Sequence, residues 1–268
     1  MGRFSADWLA LREPVDAASR NQELTARLCD WRRGQGNLSV LDLGSGAGAN
    51  GRFLAPLLGS GQHWRLVDHD PALLARIAPF PDCPGLVRLD TICLDLAGSW
   101  AVLDIPQPHL VTASALIDLV ASDGLERLAQ CSQAWQAAVF IVLSYDGTIR
   151  WEPTLAGDDR VRELINRHQR SDKGFGPALG PDAAPALAAM LAERGYQVEL
   201  RPSPWRLGPE HAPLQHALLG GWTAAVREMT SEPADWLRVW AQQRRSLIEQ
   251  GDSRLAVGHW DLFATVNS

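Results

Sequence analysis

The residues best suited to chemistry are three alternating glycines that follow an apolar run over 40–43. Gly44, Gly46 and Gly48 remove side chains from a predicted strand-to-helix turn, so the backbone there can approach a ligand closely. The helix that follows would direct unpaired N–H groups at that ligand. A second apolar run ends at Asp68, where a carboxylate can accept the hydroxyls of a ribose. This spacing predicts a cofactor that contains a nucleoside.

Two classes of nucleoside cofactor fit this pattern. Gly44, Gly46 and Ala49 satisfy the dinucleotide fingerprint loosely. Asp42 favours S-adenosylmethionine, because a carboxylate there can bind an amino acid's ammonium group but would repel a pyrophosphate. Asp95 follows a third apolar run, where it is suited to accept a hydrogen bond from the exocyclic amine of adenine. An NAD-dependent oxidoreductase stays open as the alternative.

The combination of motifs resembles the class I S-adenosylmethionine-dependent methyltransferases. It is carried by LDLGSGAG at 41–48, LVDHDP at 66–71, CLDLAG at 93–98 and LVTASALIDLVA at 110–121. The stretches RHQRSDKGFGPALG at 167–180 and VGHWDLFATV at 257–266 are similar to ones in a bacterial branch of that superfamily. The resemblance implies methyl transfer and leaves the methyl acceptor open.

The resemblance also implies which residues bind the cofactor. The glycine loop and Asp42, the acid before it, would hold the methionyl portion. Asp68 would hold the ribose, and Asp95 would hold the adenine. The segment after the fourth strand would lie beside the sulfonium. The predicted cofactor-binding residues are Asp42, Gly44, Ser45, Gly46, Gly48, Asp68, His69, Asp95, Leu96 and Ser114.

Three candidate catalytic residues lie where the family places its substrate. Asp118 follows the predicted fourth strand and Tyr145 the fifth, while His168 belongs to an extra segment that also contains Lys173 and Phe175. His168 is the leading candidate for a general base, which is needed only if the accepting atom holds its proton. Each has a structural alternative: a helix cap for Asp118, a core position for Tyr145 and a surface position for His168.

Alternating strand and helix patterns must position these residues. Strands are predicted over 38–43, 64–68, 86–95, 109–114, 138–144, 196–201 and 258–266, and helices over 48–58, 71–78, 122–137 and 182–194. Pro56 interrupts the first of these helices, which predicts that it is short or bent. The fold class is α/β, with helices on both faces of the sheet. The resemblance implies a Rossmann-like methyltransferase sheet of seven strands, six parallel and the last antiparallel.

A single class I methyltransferase domain is predicted over 1–268, with an N-terminal helical cover at 1–36. By resemblance this cover folds over the cofactor, and Arg12 and Arg20 could then point inward. Two segments exceed the minimal fold, at about 146–181 and 205–254. Both leave from the sheet edge where open α/β sheets bind ligands, so we predict that they form a helical lid. The favoured interpretation of the tryptophans in this region is packing.

Composition limits the partners. The net charge is -6, which argues against RNA or DNA, so a small-molecule substrate is expected. No apolar run approaches the ~20 residues that cross a membrane. Four cysteines without close spacing favour the cytoplasm.

His211 and His216 have no third ligand nearby, so no metal is predicted. The oligomeric state stays open, as does a catalytically silent partner subunit.

Overall fold

The apolar runs of the sequence become the central strands of an eight-stranded sheet. The structure is a computed structural model that describes residues 5–80, 83, 85–96, 106–172, 174, 176–230 and 235–266. The strands are β1 Leu38–Leu43, β2 Gln62–Asp68, β3 Leu86–Cys93, β4 Leu110–Ser114, β5 Ala138–Glu152, β6 Tyr196–Pro202, β7 Trp205–Leu207 and β8 Arg254–Val266. The inner strands are apolar on both faces because helices cover both.

The sheet order is β3-β2-β1-β4-β5-β8-β6. Strands β1 to β5 pair in parallel, and β8 lies antiparallel between β5 and β6. This confirms the Rossmann-like methyltransferase sheet, with six parallel strands and one antiparallel strand. The sequence did not predict β7, a short strand that pairs with β8 alongside the end of β6.

Strand β5 is longer than predicted. It was expected to end at residue 144 but continues to Glu152, paired with an equally extended β8. The extension is stabilised by apolar cross-strand neighbours, since Ile149 faces Val257 and Trp151 faces Leu255. The predicted loop after Tyr145 is therefore a register irregularity within a ribbon, and the first extra segment begins as a strand.

Helices flank this sheet within the described residues. They are α1 Ala6–Ser19, α2 Gln22–Arg33, α3 Ala49–Leu54, α4 Pro71–Leu74, α5 Ser122–Trp135, α6 Asp158–Gln169, α7 Ala183–Glu193, α8 Ala212–Glu228 and α9 Asp235–Gln250. Helix α3 is short, as Pro56 predicted. Asp182, the first residue of the predicted helix over 182–194, precedes α7 without a side-chain cap bond, and its carboxylate pairs with Arg170 at 2.8 Å.

The two extra segments contribute α6, α8 and α9, which pack together beside the β5–β8 ribbon. A buried pair, Asp158 and Arg244, joins α6 to α9, and Trp240 Nε1 donates to the same aspartate at 2.8 Å. Trp240 and Trp205 are almost fully buried, which agrees with the packing interpretation of these tryptophans. Lys173 and Phe175 lie outside the described residues.

Candidate functional site

The glycine loop connects β1 to α3 in a conformation that side chains disfavour. Gly44, Gly46 and Gly48 have φ of 62°, 54° and 83°, in the left-handed region that glycine tolerates best. A Cβ added at Gly44 would lie 2.8 Å from Leu116, and one at Gly46 would lie 3.2 Å from Leu9. The alternating glycines therefore allow both a strained turn and a close approach of neighbouring elements.

A cavity of about 470 Å³ opens beside this loop, between the carboxyl edge of the sheet and helix α1. Its volume is in the range of cofactor and substrate pockets. Eight of the ten predicted cofactor-binding residues line it: Gly44, Ser45, Gly46, Asp68, His69, Asp95, Leu96 and Ser114. The structure thus brings together side chains from the ends of β1, β2, β3 and β4.

Asp68 organises the loop as well as lining the cavity. Its carboxylate accepts hydrogen bonds from the backbone N–H of Gly46 at 2.8 Å and of Asp70 at 2.9 Å. The His69 ring lies against the same carboxylate, with Nδ1 at 3.2 Å from Oδ1. A carboxylate offers more acceptor positions than these contacts use, so it can still accept ribose hydroxyls.

Asp42 and Gly48 are the two predicted cofactor residues that do not line the cavity. Asp42 is fully buried behind the loop, where its Oδ1 accepts a hydrogen bond from Asn50 Nδ2 at 2.8 Å. Burial raises the pKa of Asp42 to about 7, although the Asn50 bond and the charge of Arg20 oppose that shift. Asn50 lines the cavity, so it stands between Asp42 and a bound ligand.

Several buried polar atoms around the cavity have no hydrogen-bond partner among the described residues. They include Ser45 Oγ, His69 Nε2, and Nε and Nη1 of Arg20. Buried polar groups are nearly always satisfied in folded proteins, so such a cluster indicates that a polar ligand completes the site. Their chemistry fits an aminoacyl nucleoside, which offers a carboxylate, ribose hydroxyls and ring nitrogens as acceptors.

Helix α1 forms the outer wall of the cavity and is held on two sides. Glu13 accepts two hydrogen bonds from Arg52 of α3, at 2.8 and 2.7 Å. On the other side, Asp16 accepts from Trp205 Nε1 at 3.0 Å and from Arg12 at 2.8 and 3.1 Å. Helix α1 thus contributes to the cavity wall, whereas no described residue of the extra segments over 146–181 and 205–254 lines the cavity.

The three candidate catalytic residues do not line the cavity in the described structure. Of the three, Asp118 is the nearest in sequence to residues that line the cavity, because it lies on the turn that contains Leu116 and Leu119. It is buried, its Oδ1 has no partner among the described residues, and burial raises its pKa to about 6. Its role stays a prediction.

Tyr145 and His168 are engaged elsewhere. The Tyr145 hydroxyl donates to Asn166 Oδ1 at 2.8 Å, and burial raises the pKa of Tyr145. His168 lies on α6, with Nε2 at 3.0 Å from Glu228 Oε2 on α8. Neither placement brings a ring to the cavity wall, and both catalytic roles stay predictions.

Sequence analysis did not single out three polar or aromatic residues in or near this site. Asn50 and Phe53 come from α3 and line the cavity. Buried His259 of β8 lies opposite Tyr145, and its Nδ1 has no partner among the described residues. Burial and the nearby charge of Arg12 lower the pKa of His259 to about 3, so the ring is neutral. The available signal was its place in the stretch VGHWDLFATV at 257–266.

The described residues contain no cluster of three or more His, Cys, Asp or Glu side chains that could hold a metal ion. Within the same ranges, no helix combines the length and apolar character needed to cross a membrane.

The fold is shared with solved structures of low sequence identity. A cyclopropane-fatty-acyl-phospholipid synthase-like protein from Lactobacillus casei is 13% identical over 97% of this chain and 94% of its own, with a TM-score of 0.56. The YcgJ protein from Bacillus subtilis is 12% identical over 92% of this chain and 100% of its own, with a TM-score of 0.50. No family model and no curated protein sequence matches the chain. At these identities the matches show the fold alone.

Proposed function

We propose that this protein is an S-adenosylmethionine-dependent methyltransferase that acts on a small molecule, at oxygen or nitrogen. One observation carries the proposal. A cavity of about 470 Å³ lies on a glycine loop and an acid-terminated second strand, and it is surrounded by buried polar atoms that have no hydrogen-bond partner in the described part of the chain. Fold alone does not fix an activity, so the argument rests on this site.

The cofactor would lie across the ends of the first four strands. Ser45, Gly46 and Ser114 would contact its aminoacyl end, and Asp68 would accept its ribose hydroxyls. At the far end of the cavity, Asp95 and Leu96 would contact adenine, since both line the cavity where β3 ends. Asp42 would act through Asn50, which it holds by a buried hydrogen bond.

When bound, this cofactor would supply a methyl group on a positively charged sulfur, and the acceptor would take that methyl group in line with the departing neutral thioether, S-adenosylhomocysteine. The protein's contribution is to align the reacting atoms and to exclude water. Helix α1 would exclude water, because it covers the cavity and is tied to α3 and β7. Positioning alone can supply ~7–11 kcal/mol of the rate enhancement.

The methyl acceptor would enter between α1 and the turn after β4. This side of the cavity is formed by Arg12, Asp16 and Leu119. Asp118 lies on that turn, and its pKa, which burial raises to about 6, suits proton acceptance near neutral pH. His168 and Tyr145 are the other candidates, but their partners Glu228 and Asn166 hold them away from the cavity wall.

The net charge of -6 supports a small-molecule acceptor over RNA or DNA. No disulfide joins the four cysteines, all of which lie among the described residues, and this favours a reducing compartment and so the cytoplasm. The segments over 146–181 and 205–254 stay candidate lid elements that would contact the acceptor rather than the cofactor.

Methyl transfer is tested by incubating the protein with S-adenosylmethionine and a panel of phenols, amines and carboxylic acids. The readout is S-adenosylhomocysteine formed in each reaction. We expect acceptor-dependent product with at least one class. Tight cofactor binding without any turnover would favour a catalytically silent partner subunit, and reduction or oxidation of a nicotinamide cofactor would favour an oxidoreductase.

A further inference from the structure

Arg20 is the most unusual charged residue around the cavity. It directly follows helix α1, lines the cavity and is only 6% exposed. Its guanidinium lies 5.2 Å from the ring centre of Phe53, which also lines the cavity. Arginine is rarely buried unless it is paired, so its surroundings require an explanation.

The guanidinium uses only one of its nitrogens for hydrogen bonds. Nη2 donates to Asn50 Oδ1 at 3.1 Å and to Ser114 Oγ at 3.3 Å. Both Nε and Nη1 are buried without a partner among the described residues. Two neutral acceptors thus fix the orientation of the group, while its remaining N–H donors stay unused.

No carboxylate within the described ranges forms an ion pair with Arg20. Asp261, Asp16 and Asp42 contribute only longer-range attraction, and burial outweighs them, so the pKa of Arg20 is lowered. The nearest candidates are occupied: Asp16 bonds Arg12 and Trp205, while Asp261 bonds Ser203. A buried cation without a counter-ion is costly, and an anion from a ligand would remove that cost.

The contacts of Arg20 identify the end of the cavity that it serves. Ser114 ends β4, and Asn50 lies in the first turn of α3, directly after the glycine loop. This is the end that the aminoacyl portion of the cofactor would occupy. Adenine would lie at the opposite end, near Asp95.

We propose that Arg20 binds the α-carboxylate of the cofactor through its unused N–H groups, and so selects a ligand that retains an intact amino acid end. This inference rests on the proposed function. Charge-assisted hydrogen bonds to a carboxylate are among the stronger polar contacts in proteins. Because Arg20 follows α1 directly, the same bond would also fix the end of that helix over the cavity.

Arg12 provides a matched comparison. It belongs to the same helix and lines the same cavity, but its Nε and Nη2 already donate to Asp16 at 2.8 and 3.1 Å. Because Arg12 is already paired with a carboxylate of its own helix, a ligand's carboxylate would stabilise its charge less than it would stabilise that of Arg20. Comparing variants of the two arginines therefore distinguishes a specific bond from Arg20 to the ligand from a general effect of positive charge in the cavity.

The test is a calorimetric cycle with two ligands and three proteins. S-adenosylhomocysteine and its analogue that lacks only the carboxylate are titrated into wild type, Arg20→Gln and Arg12→Gln. We expect wild type to prefer the intact ligand by about tenfold to a hundredfold, as expected for a hydrogen bond between charged groups. Arg20→Gln should abolish most of that preference, and Arg12→Gln should retain it.

The outcomes separate this inference from the proposed function. If wild type binds S-adenosylhomocysteine but Arg20→Gln keeps the full preference, or wild type has no preference, the carboxylate assignment is wrong. If wild type binds neither ligand, the proposed function itself fails. Should Arg20→Gln not fold by circular dichroism, Arg20→Met replaces it, since methionine fills a similar volume without charge or donors: a reduced preference supports the assignment, and an unchanged one overturns it.

Discussion

The carboxylate of Asp68 accepts a hydrogen bond from the backbone N–H of Gly46 at 2.8 Å. This contact joins the end of β2 to the glycine loop that follows β1. A single side chain therefore both shapes the loop and lines the cavity beside it. Removing it should impair ligand binding through two physical effects, the lost ribose acceptor and the loosened loop.

We expect Asp68→Ala to abolish measurable binding of S-adenosylhomocysteine while the protein stays folded. Calorimetry gives the affinity, and circular dichroism checks the fold. The control is Asp90→Ala, which removes a partly exposed carboxylate of β3 that pairs with His63 and Arg88 and does not line the cavity. Unchanged affinity in Asp68→Ala, or an equal loss in Asp90→Ala, would refute the ribose assignment.

The pair between Glu13 and Arg52 should control how fast the ligand leaves. Glu13→Gln weakens the tie between α1 and α3, so we expect the dissociation rate of S-adenosylhomocysteine to rise a few-fold, since partly exposed ion pairs contribute about 0.2–1 kcal/mol. Stopped-flow displacement measures the rate. Asp30→Asn weakens a more exposed pair with Arg33 on α2 and should leave the rate unchanged. A rate that is the same in all three proteins would argue against α1 as the cover.

Asp118→Asn and His168→Gln distinguish the two candidate bases. With an acceptor identified in the panel, we expect Asp118→Asn to lower turnover by ~10²–10⁴-fold, the range for general acid–base catalysis, without changing cofactor affinity. His168→Gln should change little, because His168 pairs with Glu228, whose side chain is 66% exposed. The reverse pattern of turnover would restore His168 as the base and exclude Asp118.

The raised pKa of Asp42 predicts a pH dependence of stability. Burial favours the neutral carboxyl in the folded state, whereas the unfolded chain loses this proton at its ordinary, lower pKa. The free energy of unfolding therefore falls as pH rises from about 4. It stops falling only above about pH 7, where Asp42 is ionised in both the folded and the unfolded state. Asp42→Asn retains an oxygen to accept from Asn50 but cannot ionise.

We therefore expect the stability of Asp42→Asn relative to wild type to increase between pH 5 and pH 8. Thermal unfolding without ligand measures this difference. Asp252→Asn changes an exposed aspartate and should show a constant difference across the same range. A constant difference for Asp42→Asn as well would show that the carboxyl is not buried in the way described.

The buried pair between Asp158 and Arg244 should be the main polar tie between α6 and α9. Asp158→Ala leaves Arg244, which is 1% exposed, without its carboxylate and also removes the acceptor of Trp240 Nε1. We expect a loss of ~3–5 kcal/mol in the free energy of unfolding, measured in urea. Asp159→Ala removes a carboxylate that is 82% exposed, and we expect it to cost at most ~1 kcal/mol. Similar losses in the two variants would contradict this assignment.

The sequence was most informative where local chemistry decides the structure. Alternating glycines at a strand end predicted a strand-to-helix turn, in which Gly44, Gly46 and Gly48 adopt positive φ. Pro56 predicted an early end to α3, which ends at Leu54. The order of apolar runs predicted the parallel strands, because each run is long enough to cross the sheet once.

Long-range pairing was the main source of error. The extension of β5 depends on β8 residues more than a hundred positions away, such as Leu255 opposite Trp151. The fifth strand was predicted to end at residue 144, but the ribbon continues past that position with a register irregularity. Strand β7 likewise exists only through its pairing with β8.

The polar contacts of the site were hidden for the same reason. Arg20 contacts Asn50 and Ser114, which are 30 and 94 positions further along the chain. The sequence placed Arg20 in the predicted helical cover, from which it could point inward, but did not indicate which residues it contacts. Its unused donors become evident once the fold brings these three residues together.

The central claim is that the cavity beside the glycine loop binds an S-adenosyl ligand. The most direct test is calorimetric titration of the wild-type protein with S-adenosylhomocysteine and, separately, with NAD. We predict one binding site per chain for S-adenosylhomocysteine and no measurable heat of binding for NAD. Binding of NAD without binding of S-adenosylhomocysteine would contradict the account.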